Sequence, residues 1–172
     1  MTESYNIGID VQGGDNAPEC NLNGVLKFIK GQSDLLNSVS LFLFGESTSI
    51  RENLGEDLCA KPYINIVDCS QTIDFNDHPV KAFLQKTDSS ITKGFHYLKE
   101  GKIDAFASAG NTGAMMVGAT QAIGLVEGIS RPVITSVLPR ESGNDGIILD
   151  VGINADCKPE MLDKFAILKH DH

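Results

Sequence analysis

The 172-residue sequence is short of positive charge. It carries 14 Lys and Arg against 23 Asp and Glu, a formal net charge of −9. No basic cluster offsets that balance, which argues against a nucleic-acid partner, because a phosphate backbone is gripped by concentrated positive charge. No apolar run approaches the ~20 residues of a membrane-spanning helix. The opening residues lack a basic region followed by an apolar stretch, so no secretory signal is expected and the expected location is cytoplasmic. Cysteine is scarce: Cys20, Cys59, Cys69 and Cys157 are the four, and none forms a C-x-x-C pair. No zinc or other metal site is expected, and the thiols are expected to be free. Three fingerprints are missing as well: G-x-x-x-x-G-K-[ST], G-x-G-x-x-G after the first strand, and G-x-S-x-G. Their absence excludes a P-loop NTPase, a standard dinucleotide site and a hydrolase nucleophile elbow, and no cofactor is called for.

What is present reads as a globular α/β chain. Hydrophobic residues make up 41% and charged residues 22%. A chain this long buries about 70% of its surface. Glycine is frequent, at 17 residues, which predicts many tight loops. Apolar patterning predicts strands over 5–11, 39–44, 63–67, 103–107, 132–138 and 146–151. Helical spacing is predicted over 22–29, 50–54, 78–97, 114–126 and 161–168. The helical stretch 78–97 is read as two pieces, the second capped by Asp88, Ser89 and Ser90. Pro159 suits a first helical turn. Strand and helix alternate, which predicts a largely parallel sheet with helices on both faces, the whole chain 1–172 forming one domain.

Three loops, 13–18, 108–113 and 152–158, are each expected to follow a strand and precede a helix. Ligands bind beyond the carboxyl ends of parallel strands, so all three are expected on one sheet edge. Their composition suits an anion. Gly14, Gly110 and Gly113 permit close backbone approach, and helix N-termini offer N–H groups. Asn111, Thr112 and Asn154 add neutral donors, and Lys158 adds a charge. The alternative is three ordinary strand-to-helix turns. His78 and His96 read as solvated or capping residues, and His170 and His172 as a tail. Cys157 sits beside Lys158 near a helix start, where a thiol's pKa can fall; a buried, inert thiol is the preferred reading. Met115 and Met116 read as core.

These segments also resemble a known family. Gly13-Gly14-Asp15-Asn16-Ala17-Pro18 resembles the opening G-G-D-x-A-P of the bacterial phosphate acyltransferase family of phospholipid synthesis, the PlsX family. Asp77-His78-Pro79-Val80-Lys81-Ala82 and Asp88-Ser89-Ser90 resemble its next two blocks. S-A-G-N-T-G-A from Ser108 is similar to its most characteristic segment, and L-D-V-G-I-N-A-D-C-K-P from Leu149 to the block after that. Ile153 and Arg140 depart from residues common there. Members are roughly twice this long, so the chain resembles a truncated N-terminal half.

The resemblance implies a fold like the isocitrate and isopropylmalate dehydrogenases and the phosphotransacetylases. It implies that inorganic phosphate attacks the thioester of acyl-[acyl carrier protein], giving acyl phosphate and the free carrier thiol. A thiol of pKa about 8.5 leaves readily, so positioning and electrostatics are expected to carry the chemistry. In that reading Asn111, Thr112 and the Gly113 backbone hold phosphate or oxyanion. Asn154 adds a donor and Lys158 balances charge. Gly14 and Asp15 shape the pocket, and Lys81, Gly110 and Asp156 contact substrate. A homodimer is implied, with any peripheral membrane contact in the missing half. The competing readings are a phosphotransacetylase acting on acyl-CoA, an inactive binding or dimerisation module, and, least favoured, a metal-dependent dehydrogenase.

Overall fold

In the first strand, Ile7 and Ile9 alternate with Gly8 and Asp10, and this period of two sets the architecture. The computed structural model describes residues 4–129, 131–141, 143, 145–154 and 156–168. The chain divides into two compact units, Met1–Ile123 and Gly124–His172.

The first unit carries a four-stranded sheet of β1 (Tyr5–Asp10), β2 (Val39–Gly45), β3 (Ile64–Asp68) and β4 (Ala105–Ala107). All neighbours are parallel and the order is β3-β2-β1-β4. Its helices are α1 (Glu19–Gly31), α2 (Ser47–Leu54), α3 (Glu56–Cys59), α4 (Pro79–Gln85), α5 (Ser90–Lys99) and α6 (Thr112–Ala122), with a 3-10 turn at Ser33–Asn37.

Both sheet faces are covered, as the alternation requires. Ile7, Ile9, Leu41, Leu43, Ile64 and Ile66 pack with Leu22 and Val25 of α1 and Ile50 and Leu54 of α2. On the other face Phe42, Phe44, Val67 and Phe106 meet Tyr97 and Leu98 of α5. Edge-to-face ring contacts run from Tyr97 to Phe44 (5.2 Å), Phe44 to Phe106 (5.5 Å) and Phe106 to Phe95 (5.4 Å). Such pairs add about 0.5–1.5 kcal/mol each beyond their burial. Gly94 of α5 lies against the Phe106 ring, where a Cβ would sit 2.2 Å from two ring carbons.

The expected order of strands and helices is present in this unit, with shifted ends. Val11 lies past β1 yet is buried. The stretch 78–97 is two helices, and Ser89 caps the second by accepting from the Thr92 N–H at 3.2 Å. The helix expected over 114–126 starts earlier, at Thr112, and stops at Ala122, before Gly124 with its φ of 95°. Among the described residues no helix is long and apolar enough to cross a membrane.

The second unit holds β5 (Thr135–Pro139), β6 (Asp145–Leu149) and α7 (Pro159–Leu168). β5 and β6 pair antiparallel in a sheet of their own. This corrects the expectation that the parallel sheet continues through them. The connection 140–144 is a hairpin length, whereas parallel neighbours need a crossover of about a dozen residues or more. It also corrects the expectation of one shared edge: the loop 152–158 leaves β6, not the parallel sheet.

The ring packing is tight enough to test by one methyl. Gly94→Ala is expected to destabilise by about 1–3 kcal/mol through overpacking. Gly24→Ala, where a Cβ meets nothing within 4 Å, is expected to be neutral or stabilising. Chemical denaturation of both variants checks the contrast.

Candidate functional site

From β1 the chain moves to β2 on one side, while β4 lies on β1's other side. Loops leaving β1 and β4 therefore emerge over adjacent strand ends, the switch point where open α/β sheets form their crevices. Residues 13–18 and 108–113, two of the three predicted loops, meet there.

Asp10, the last residue of β1, joins them. It is 2% exposed. Its Oδ1 accepts from the N–H groups of Gln12 and Gly13, both at 3.0 Å. Its Oδ2 accepts from the Ser108 hydroxyl at 2.6 Å. Ser108 Oγ in turn accepts from the Gly110 N–H at 2.9 Å. The loops touch backbone to backbone as a result: a Cβ on Gly13 would lie 2.8 Å from Gly110 Cα and 2.3 Å from Asp10 Oδ2. From α1, the Asn21 amide donates to the Gly13 and Val11 carbonyls at 2.8 and 3.2 Å. Gly14 follows with a φ of 109°, a conformation that glycine adopts freely.

Asn111 performs two tasks at the start of α6. Its Oδ1 accepts from the Ala114 N–H at 2.9 Å, a regular N-cap. Its Nδ2 donates to the carbonyls of Asp74, Phe75 and Asp77 at 2.9 to 3.3 Å. The 72–77 segment is held from its other side by Lys86, whose Nζ donates to the Thr72 carbonyl at 2.8 Å and to Asp77 Oδ2 at 2.5 Å. The Lys86 hydrogen bond, with help from the Asp74 N–H, keeps the Asp77 carboxyl below its usual pKa.

Between this segment and the two loops lies a cleft of about 530 Å³. Predicted residues Gly14, Asp15, Gly110 and Asn111 line it, beside Gln12, Asp74 and Asp77. Thr112 and Gly113 open α6. Ala114 N–H is taken by the cap and Met115 N–H by the Asn111 carbonyl, which leaves those of Thr112 and Gly113 as first-turn donors. Gly113 is also a packing site, since a Cβ there would lie 2.4 Å from Pro79 of α4. Lys81 is exposed on α4 and is not part of the cleft wall.

Asn154, Asp156 and Lys158 belong to the second unit. Asn154 is committed locally: its Nδ2 donates to Asp150 Oδ1 at 2.9 Å and to the Pro132 carbonyl at 3.3 Å. The Asn154 amide is the main reason the Asp150 carboxyl sits below its usual pKa. Asp150 itself adopts a φ of 61°. Lys158 is exposed just before α7, where its carbonyl accepts from the Met161 N–H. Asp156 is exposed. The Cys157 thiol is pushed up by desolvation and by its bond to Asp150, the reverse of an activated thiol. Among the described residues, no group of three His, Cys, Asp or Glu side chains is placed to hold a metal ion.

Sequence reasoning passed over Asp10, Ser108, Asn21 and Lys86. One signal for Asp10 was available: a carboxylate ending an otherwise apolar strand and followed by two glycines needs donors, and tight turns supply them.

Two measurements test this geometry. Asp10→Ala leaves buried N–H groups without an acceptor and is expected to cost at least about 3 kcal/mol in a denaturant titration. Asp77 carries the pH dependence. Its folded pKa is depressed, so its contribution is present above the ordinary carboxylate value of about 4 and is lost as pH falls through the lower folded value. The difference in thermal midpoint between wild type and Asp77→Asn is expected at pH 5–8 and to vanish toward pH 2.

Comparison with known proteins bears on all of this. The model of the family described as fatty acid synthesis protein matches residues 5–171. The phosphate acyltransferase of Caldicellulosiruptor bescii is 44% identical over 160 residues, covering 93% of this chain and 46% of that protein. Phosphate acyltransferases of Clostridium acetobutylicum and Ligilactobacillus salivarius are each 41% identical, covering 94% of this chain and 47% of their own length. The chain thus spans about half the length of the curated relatives it matches. With the blocks at Gly13, Ser108 and Leu149 inside the matched span, the chain belongs to the fatty acid synthesis protein family, that of the bacterial phosphate acyltransferases.

Proposed function

We propose that this chain supplies part of a phosphate acyltransferase site, at which inorganic phosphate attacks the thioester carbonyl of acyl-[acyl carrier protein]. The C–O bond of acyl phosphate forms, the C–S bond breaks, and the carrier leaves as the thiol. The observation that carries the reading is the Asp10-pinned crossing of the two glycine loops at the switch point, in a chain 44% identical to a phosphate acyltransferase.

The first turn of α6 suits the phosphate. The Thr112 and Gly113 N–H groups and the helix's positive end attract an anion. Asn111 sets that turn's position through its cap and its hold on the 72–77 segment, so it acts as a positioning residue. Gly14 and Gly110 let backbone approach the reacting carbonyl. Asp15 stands on the cleft wall with Asp74 and Asp77, and three carboxylates there disfavour a dianion in the body of the cleft. In this reading Lys158 and Lys81 are the residues proposed to balance phosphate charge, and Asn154 and Asp156 to contact substrate. The working form is a cytoplasmic homodimer. The second reading, acyl transfer from acyl-CoA, uses the same attack and differs only in the thiol that leaves.

The test is release of free thiol from acyl-[acyl carrier protein] with and without phosphate, run beside acyl-CoA. Phosphate-dependent release from the carrier substrate is expected, and Lys158→Ala is expected to raise the KM for phosphate about tenfold while sparing that for the donor. Release from acyl-CoA alone would select the second reading. Release that ignores phosphate would exclude both.

A further inference from the structure

The proposed reaction uses the polar wall of the cleft and leaves one apolar side chain on it unexplained. Among the described residues, Phe75 is the most exposed large apolar side chain, at 84%. It stands on the cleft wall. Ile73, the other large apolar residue of that wall, is 3% exposed and packs into the core with Phe83 and Ile91. The remaining wall residues are polar, acidic or small. Phe75 is therefore the large hydrocarbon surface that the wall presents to a ligand.

Local structure does not account for this exposure. Asp74–Asp77 is a turn closed by the Asp77 N–H, which donates to the Asp74 carbonyl at 3.1 Å. The Asp74 N–H donates back to Asp77 Oδ2 at 2.8 Å. Phe75 takes the second position of that turn, where proline or a polar residue is usual. Scattered exposed apolar residues are common on protein surfaces. Phe75 differs because its backbone is tied to the reaction site. Its carbonyl accepts from Asn111 Nδ2 at 3.3 Å, and the same amide holds the Asp74 and Asp77 carbonyls at 2.9 and 3.3 Å. Asn111 Oδ1 caps α6 through the Ala114 N–H. One side chain thus sets the spacing between the Phe75 turn and the helix end to which the phosphate is assigned. Lys86 holds the turn through Asp77, and Ile73 anchors the chain leading into it.

We infer that Phe75 is the acyl-chain contact of the site, with the hydrocarbon chain of the thioester donor lying across its ring and the thioester carbonyl between the turn and the start of α6. The inference rests on the proposed thioester reaction and adds which residue recognises the acyl group. An alkyl chain offers nothing to the polar walls, whereas contact with the ring removes apolar surface of both from water. An acetyl group is too short to gain from that contact. Phe75 therefore acts on affinity for long acyl groups and not on the attack by phosphate.

The sequence contains no tryptophan, so Phe75→Trp installs a single reporter at the contact. The probes are S-octanoyl- and S-acetyl-N-acetylcysteamine, thioesters that differ only in chain length, titrated into the 172-residue chain. The octanoyl probe is expected to move the Phe75→Trp emission to shorter wavelength, and the acetyl probe to leave it in place. Calorimetry is expected to show the wild type binding the octanoyl probe at least about tenfold more tightly than the acetyl probe, and Phe75→Ala losing most of that preference with its acetyl affinity unchanged. The side chain is exposed, so Phe75→Ala is expected to keep the wild-type thermal midpoint; the fluorescence readout stands without that variant. An unchanged preference in Phe75→Ala overturns the assignment, and so does an emission that the octanoyl probe does not move. Emission already at short wavelength in the free chain and dependent on protein concentration places a second copy on the ring and overturns it. A shift with phosphatidylglycerol vesicles but not with the thioester makes the ring a membrane contact and overturns it too. Phosphate-dependent thiol release without a Phe75-dependent length preference overturns this inference and leaves the reaction standing; the preference without thiol release does the reverse.

Discussion

The buried carboxylate of Asp10 is the constraint on which the site depends. It accepts two backbone N–H groups from its own loop and a hydroxyl from the loop after β4. A buried carboxylate with fewer partners would be costly, because desolvation penalises an unpaired charge far more than a neutral group. The two glycine-rich loops are therefore drawn together by the demand of one acid for donors. Gly13 follows from that demand, since a Cβ there would lie 2.3 Å from Asp10 Oδ2, and Gly110 is tight against it, with Gly13 Cα 3.1 Å from where a Cβ would stand.

This junction stands on a stiff base. The sheet's second face is filled by aromatic rings in edge-to-face contact, and Gly8, Gly94 and Gly118 each give way to a neighbouring ring or side chain. Close packing of this kind transmits position well, because interiors have few voids to absorb a shift. The 72–77 segment is held differently. Ile73 anchors it in the core beside Phe83 and Ile91, and polar contacts from Asn111 and Lys86 hold the rest. It is the part of the cleft wall whose hold responds to charge and pH.

Charge divides the crevice by task. Asp15, Asp74 and Asp77 stand on the cleft wall, while helix donors gather at the first turn of α6.

Much of this was legible in the residues. Alternating apolar strands and intervening helices specify a parallel sheet, because only crossovers can join parallel neighbours. Gly13, Gly14 and Gly110 marked the loops, and Ser89 marked a helix start. The short 140–144 connection held the information that β5 and β6 form a hairpin, although strand-by-strand alternation obscured it. Local pattern determines which segments are strands, helices and turns, since those depend on neighbours within a few residues. Tertiary structure alone decided that Asp10 meets Ser108 across 98 positions, that Asn111 spends its amide on the 72–77 carbonyls, and that Gln12 is left with a buried acceptor. Hydrogen-bond partners between distant segments depend on strand order and loop path, and no period in the sequence records them.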